Sequence, residues 1–352
     1  MAESPVMVAG PAIVRRDGRV GRITLNRPEA LHALSLAMVD AVAEALLAWR
    51  EDPSVEGVLI DHAGARGFCA GGDIRALAAG GEALARAFFL AEYRLNVLIH
   101  RYPKPIMAVM DGVTMGGGLG LAWPCRYRLA TERTVITMPE GAIGLFPDVG
   151  TGWRLPRLPG EVGLWMVLTG ARLGPADALL TGLATDYAPS GRVEAIKAAF
   201  AAAPGRIEER LTELEGDAGD PPVSLVRDDI DRLFARDSVE AIVAALEREG
   251  SPWAAEQLAA LRAASPTTLK AGFRLLREGA GRARLEEEMR VEYRLAVRIA
   301  CSHDFREGVR ARLVDKDGAP RWSPASLAEV TPAMLDALFA PLGPGEDWTP
   351  PP

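Results

Sequence analysis

The chain has 352 residues with a net charge of −7, 49% of them hydrophobic and 25% charged, enough for two domains or one large domain with an appendage. That acidic balance argues against a broad nucleic-acid surface, and no apolar run approaches the roughly 18 residues of a membrane span. Cys69, Cys125 and Cys301 form no CxxC pair and the first residues lack a basic-then-apolar leader pattern, so neither a disulfide framework nor secretion is expected, and the protein is predicted to be cytoplasmic.

In chain order, Val20 to Leu25 reads as a short strand closed by Asn26-Arg27-Pro28. Ser35 is placed to cap a helix whose Met38, Val42, Leu46 and Trp49 recur at the helical period. Gly57 to Asp61 is a strand, Glu82 to His100 a helix with Phe88, Leu95 and Ile99 inward, and Pro105 to Asp111 a further strand. Arg126 to Ala130 and Val135 to Met138 continue the alternation, which predicts an α/β domain. After about residue 190 the pattern turns helical: 197–214, 224–234, 239–249, 253–263 and 283–300 are candidate helices, rich in Ala, Leu, Arg and Glu. The predicted division is a core over 12–190, a helical region over 191–340 and a disordered tail over 341–352.

Two glycine clusters follow strand candidates: Gly67-Phe68-Cys69-Ala70-Gly71-Gly72-Asp73 and Gly112 to Gly120, with Gly116-Gly117-Gly118 inside it. Amides at helix starts point outward at the positive end of the dipole, so two from separate loops could hold one developing oxyanion. Tight turns and close packing explain the glycines equally well. No Gly-Lys-Ser/Thr ending follows, and Trp123 stands where a dinucleotide fingerprint needs a small residue. Glu140 and Asp148 lie eight residues apart in an apolar, glycine-rich stretch. There a carboxyl is costly to bury unless paired or functional, although a turn acid and a helix cap are the plainer uses. Glu92 falls on a helix among Phe88, Phe89 and Tyr93, where a solvated glutamate is the commoner outcome. Cys69 reads as a small core residue, and the four histidines show no HExxH pattern.

Taken together, Leu25-Asn26-Arg27-Pro28-Glu29-Ala30-Leu31, the FCAGGDI loop, Lys104-Pro105, the GGGLG turn and the MPE segment resemble the crotonase (enoyl-CoA hydratase/isomerase) superfamily in order and spacing. The resemblance implies a crotonase-like spiral of ββα units with a helical C-terminal region, binding acyl-CoA thioesters. Gly72 and Gly117 then correspond to the family's oxyanion-hole amides. MPEGAIGLFPDVGTGWRLPRL, Ser265 to Lys270, Met289 to Leu295 and His303 to Ala311 resemble the branch that hydrolyses 3-hydroxyisobutyryl-CoA in valine breakdown. In that branch Glu140 would be nucleophile or general base. Asp148 would orient water or protonate the leaving thiolate, and Glu92 would bind the substrate hydroxyl, with Gly117 also at a substrate-contact position. Hydratases of the superfamily resemble one another in carrying a glutamate just after the glycine turn, where this chain has Gly120. Hydration or isomerisation of an enoyl-CoA is therefore the alternative, and a non-catalytic acyl-CoA-binding member a second one. The resemblance implies no metal or redox cofactor, CoA being part of the substrate. It also implies a homo-oligomer, a trimer or hexamer, and offers Arg27 as the candidate contact to the CoA nucleotide.

Overall fold

The computed structural model describes residues 10–64 and 66–351. Strands β1 (Ala12–Asp17) and β2 (Val20–Leu25) form an antiparallel hairpin. Ser35 caps helix α1 (Leu36–Arg50) by accepting from the Met38 amide, and Met38, Val42, Leu46 and Trp49 all turn inward. β3 (Gly57–His62), β4 (Gly67–Cys69) and α2 (Ile74–His100) follow. Next come β5 (Ile106–Met110), β6 (Val113–Met115) and α3 (Gly117–Ala122), then β7 (Tyr127–Ala130) and β8 (Val135–Thr137).

From β3 onward the first strand of each successive unit joins the larger sheet in parallel and the second joins a smaller parallel sheet, whereas the β1–β2 hairpin stays in the larger one. With β9 (Asp186–Tyr187) the larger sheet runs β1-β2-β3-β5-β7-β9, and the smaller runs β4-β6-β8. This is the expected α/β spiral of ββα units. The carboxyl ends of β4, β6 and β8 therefore converge, and each runs straight into one of the predicted site segments: 70–73, 116–117 and 139–140. Ligands of parallel sheets gather at such ends because the strand-to-helix loops open there.

The central strands β3 and β5 of the larger sheet are covered on both faces, which explains their nearly continuous apolar runs. Val58, Ile60, Ala108 and Met110 face the main core with α1 and α2, while Leu59, Met107, Val109 and Leu129 face a smaller one. That smaller core is closed by α7 (Val193–Ala202) and α8 (Ile207–Leu214), which follow α4 (Thr151–Arg154), α5 (Val162–Thr169) and α6 (Pro175–Leu180). The single helix predicted over 197–214 is two, because Pro204 and Gly205 interrupt it.

The rest of the chain is α9 (Arg227–Phe234), α10 (Val239–Glu249), α11 (Pro252–Ala263), α12 (Pro266–Gly279), α13 (Leu285–Ile299), α14 (His303–Val309) and α15 (Pro332–Phe339). α13 packs along α2, and its Met289, Tyr293 and Ala296 belong to the same apolar core as the sheet.

The tail expected to be disordered is packed instead. Trp348 is 1% exposed, Arg294 Nε donates to Asp347 Oδ1 at 3.1 Å, and Arg94 Nε donates to the Thr349 carbonyl at 3.0 Å. One aromatic anchor and two arginines on α2 and α13 hold a segment whose Pro- and Gly-rich composition shows no periodicity; Pro352 lies outside the described residues. Among the described residues no helix is long and apolar enough to cross a membrane.

Candidate active site

Gly71 follows β4 with φ +89°, a left-handed conformation that suits glycine. Its carbonyl accepts from Leu34 N at 2.7 Å, and Asp73 N donates to Leu34 O at 2.8 Å, so the loop is pinned along the chain beyond Pro28. Arg27, the candidate for the CoA nucleotide, is engaged inside the protein: its guanidinium donates to Asp73 Oδ2 at 2.9 Å and to the Ala33 carbonyl at 2.6 Å. Asp73 in turn caps α2 through the Ala76 amide. These contacts fix the loop on either side of Gly72, which precedes Asp73, the N-cap of α2.

The second loop touches the first, since a Cβ on Gly71 would lie 3.2 Å from Gly117 N. Gly117 opens α3, where an amide has no acceptor one turn back. Among the described residues neither the Gly72 nor the Gly117 amide donates to a protein oxygen. Side chains are excluded around them. A Cβ on Gly116 would sit 2.8 Å from Glu140 Oε1, and one on Gly117 would overlap Glu92 Oε1.

A cavity of about 60 Å³ lies over these amides, and Gly72, Glu92, Gly117, Glu140 and Asp148 all line it with Phe88 and Leu145 among the apolar walls. All five predicted residues thus meet around one space. The three acids are 1%, 5% and 4% exposed respectively, and among the described residues no cation pairs with them, so burial decides their protonation. Glu92 is held well above the usual carboxylate range by desolvation, reinforced by Asp148 and Glu140. Glu140 is raised by desolvation and by Asp148. Burial lifts Asp148 to about 7, against the pull of Tyr93, whose hydroxyl donates to Asp148 Oδ2 at 2.7 Å. Three acids crowded in low dielectric cannot all ionise, and the one with a phenol donor takes the charge first. Among the described residues Glu92 Oε1 and Glu140 Oε2 are buried with no hydrogen-bond partner, polar atoms on two residues that line the cavity. Unpaired amides beside carboxyls that share charge can polarise a carbonyl and move protons around it.

Sequence reasoning missed the support of Asp148. Val149 has φ +58°, an outlier for a β-branched residue. Its carbonyl accepts from Trp123 Nε1 at 2.9 Å, while Glu292 of α13 accepts from the Gly150 amide at 2.7 Å and the Gly152 amide at 3.1 Å. A signal existed: Glu288 and Glu292 fall on the stripe set by Leu285, Met289, Leu295 and Ile299, a place for apolar residues. Tyr93 had no such signal beyond its neighbour Glu92. Cys69 is a core residue, fully buried, its thiol donating to the His32 carbonyl and pushed up to about 12 by burial.

Residues 20–339 match the family model described as enoyl-CoA hydratase/isomerase. The chain is 43% identical over 347 residues to the mitochondrial 3-hydroxyisobutyryl-CoA hydrolase of Gallus gallus, covering 95% of this chain and 90% of that one. It is 39% identical to the human protein of the same name, again over 95% and 90%. Among solved structures it resembles a carnitinyl-CoA dehydratase from Mycobacterium thermoresistibile (TM-score 0.92, 40% identity, 97% of this chain and 99% of that). An enoyl-CoA hydratase from Rhodobacter sphaeroides is also similar (TM-score 0.89, 43% identity, 97% and 100%). The cytoplasmic expectation is overturned by the relatives, which are named mitochondrial; unpaired cysteines report a reducing milieu and do not distinguish one such compartment from another. By the span of the family match and the identity to these relatives, the chain belongs to the enoyl-CoA hydratase/isomerase family.

Proposed function

We infer that the protein hydrolyses 3-hydroxyisobutyryl-CoA to 3-hydroxyisobutyrate and CoA, the activity named for relatives 39–44% identical over almost the whole chain. The observation that carries the reading at the site is the convergence of two unpaired amides and three buried acids on one small cavity. Its volume of about 60 Å³ holds on the order of four waters, room for a short branched acyl group beside the Phe88 and Leu145 walls.

In this reading the thioester oxygen lies between the Gly72 and Gly117 amides, whose partial positive charge stabilises the oxyanion as the carbonyl is attacked. Glu140 either attacks the carbonyl itself or deprotonates the water that does. For that it must be ionised, and a proton passed from Glu140 to Asp148 meets the need while readying Asp148 as an acid. The new carbon–oxygen bond then displaces the carbon–sulfur bond, and the departing thiolate takes the proton held by Asp148; where Glu140 itself attacked, water then cleaves the resulting acyl–Glu140 anhydride, releasing 3-hydroxyisobutyrate and restoring the Glu140 carboxyl. Glu92, buried and with Oε1 unpartnered, accepts or donates a hydrogen bond at the substrate hydroxyl. No further cofactor enters this chemistry.

Hydration is the second reading, favoured by the names of the two structural neighbours. Against it stands Gly120, at the position where the superfamily's hydratases carry their glutamate. A Cβ there would lie 2.6 Å from Val149 Cβ, so the turn that carries Asp148 occupies the space of the missing acid. Product analysis separates the two. Incubation with 3-hydroxyisobutyryl-CoA is expected to release free thiol stoichiometrically, and incubation with a short enoyl-CoA to leave its absorbance nearly unchanged. Loss of enoyl absorbance without thiol release would reverse the assignment.

A further inference from the structure

We propose, on the thioester-hydrolase reading, that Glu292 is a positioning residue which holds the Asp148 carboxyl in its working place by gripping the turn that follows it.

Glu292 is buried and among the described residues no arginine or lysine neutralises it; Arg282 pairs instead with Glu288, Nη1 to Oε2 at 2.6 Å. Its two oxygens each take one amide of the turn, Gly150 N–H on Oε2 and Gly152 N–H on Oε1. A carboxyl without a cation is a poor way to fill a core, and burial with Glu288 and Asp148 close by holds that of Glu292 well above the usual carboxylate range; an apolar side chain would serve packing alone. What an apolar residue would not supply is two acceptors, and the turn needs them because Val149 at its centre sits at φ +58°. Trp123 Nε1 holds the other end of the Val149–Gly150 peptide through the Val149 carbonyl. Relaxation of Val149 would swing Asp148, the preceding residue, away from Tyr93 and the cavity. α13 thereby makes the C-terminal region part of the site's geometry, although none of its residues lines the cavity.

Glutamine at 292 keeps the size but offers one acceptor and sets an NH₂ group against an amide N–H. CoA release is measured for wild type, Glu292→Gln, Asp148→Asn and the double variant, by steady state and by single turnover with enzyme in excess. Glu292→Gln is expected to lower kcat roughly 10- to 100-fold, the scale of a misplaced catalytic group, with KM little moved. In the Asp148→Asn background the same substitution is expected to cost almost nothing, because the group it positions is already gone. Equal losses in both backgrounds, or no loss in either, would overturn the role of Glu292 while wild-type turnover left the thioesterase reading standing. A wild-type enzyme that releases no CoA would overturn both. Should Glu292→Gln fail to fold, Trp123→Phe removes the hydrogen bond at the other end of the Val149–Gly150 peptide. It is expected to show the same dependence on Asp148, and additive losses there would contradict the proposal.

Discussion

Gly117→Ala is expected to lower kcat/KM for thioester hydrolysis by roughly 10²–10³-fold, the effect of losing one oxyanion donor, in a protein that still folds. Gly117 has no positive φ and starts a helix, so its backbone accepts alanine. The added methyl overlaps Glu92 Oε1, so either the Glu92 carboxyl moves or the loop retreats and takes its amide off the carbonyl oxygen. Gly72→Ala makes a useful comparison. Its methyl meets the Phe88 ring at 3.2 Å, a contact that small shifts relieve, and a milder loss is expected there. Steady-state CoA release with a melting curve on each variant checks both. Near-wild-type turnover by a folded Gly117→Ala enzyme would contradict the placing of that amide.

Asp148→Asn is expected to stabilise the protein as it removes activity, and to stabilise it more at pH 8 than at pH 5. Burial raises the Asp148 carboxyl to about 7, against about 3.9 for an exposed aspartate. The folded state therefore keeps its proton longer than the unfolded chain does, and stability drains away as pH rises through that interval. At about 1.4 kcal/mol per pH unit the penalty reaches on the order of 4 kcal/mol by pH 8, against roughly 1–2 at pH 5. Asparagine is uncharged at every pH and escapes it. Urea unfolding of both proteins at the two pH values gives the difference directly. A destabilised Asp148→Asn at pH 8 would mean that the Tyr93 hydrogen bond outweighs the cost of the buried charge.

Much of the fold was legible because the longer strands and helices carry their periods openly: α1 and α2 show inward residues at helical spacing, and β3 and β5 read as apolar runs. The second sheet was legible only at β8, read over 135–138 and found over Val135–Thr137. β4 and β6 have three residues each, too few for alternation to register, and both lie in stretches whose glycines announce loops. β9, with two residues, is defined only by its neighbour β7. The packed tail escaped because Trp348 is a single anchor without a repeat.

For the site, the residues facing the cavity were found because acids and glycines stand out against apolar surroundings. Local sequence showed nothing of what links Asp148 to Tyr93 and Glu292, which lie 55 residues before it and 144 after it. Long-range hydrogen bonds leave no trace in spacing.

The central claim is that the Gly72 and Gly117 amides grip one thioester oxygen beside Glu140. Isotope-edited infrared spectroscopy tests it most directly, with carbonyl-labelled 3-hydroxyisobutyryl-CoA bound to a Glu140→Gln enzyme that turns over slowly. The bound thioester carbonyl is expected to absorb at lower frequency than in water, and to return toward the free value when Gly117→Ala is added. A carbonyl band that binding leaves in place, in an enzyme shown to hold the substrate, would contradict the account.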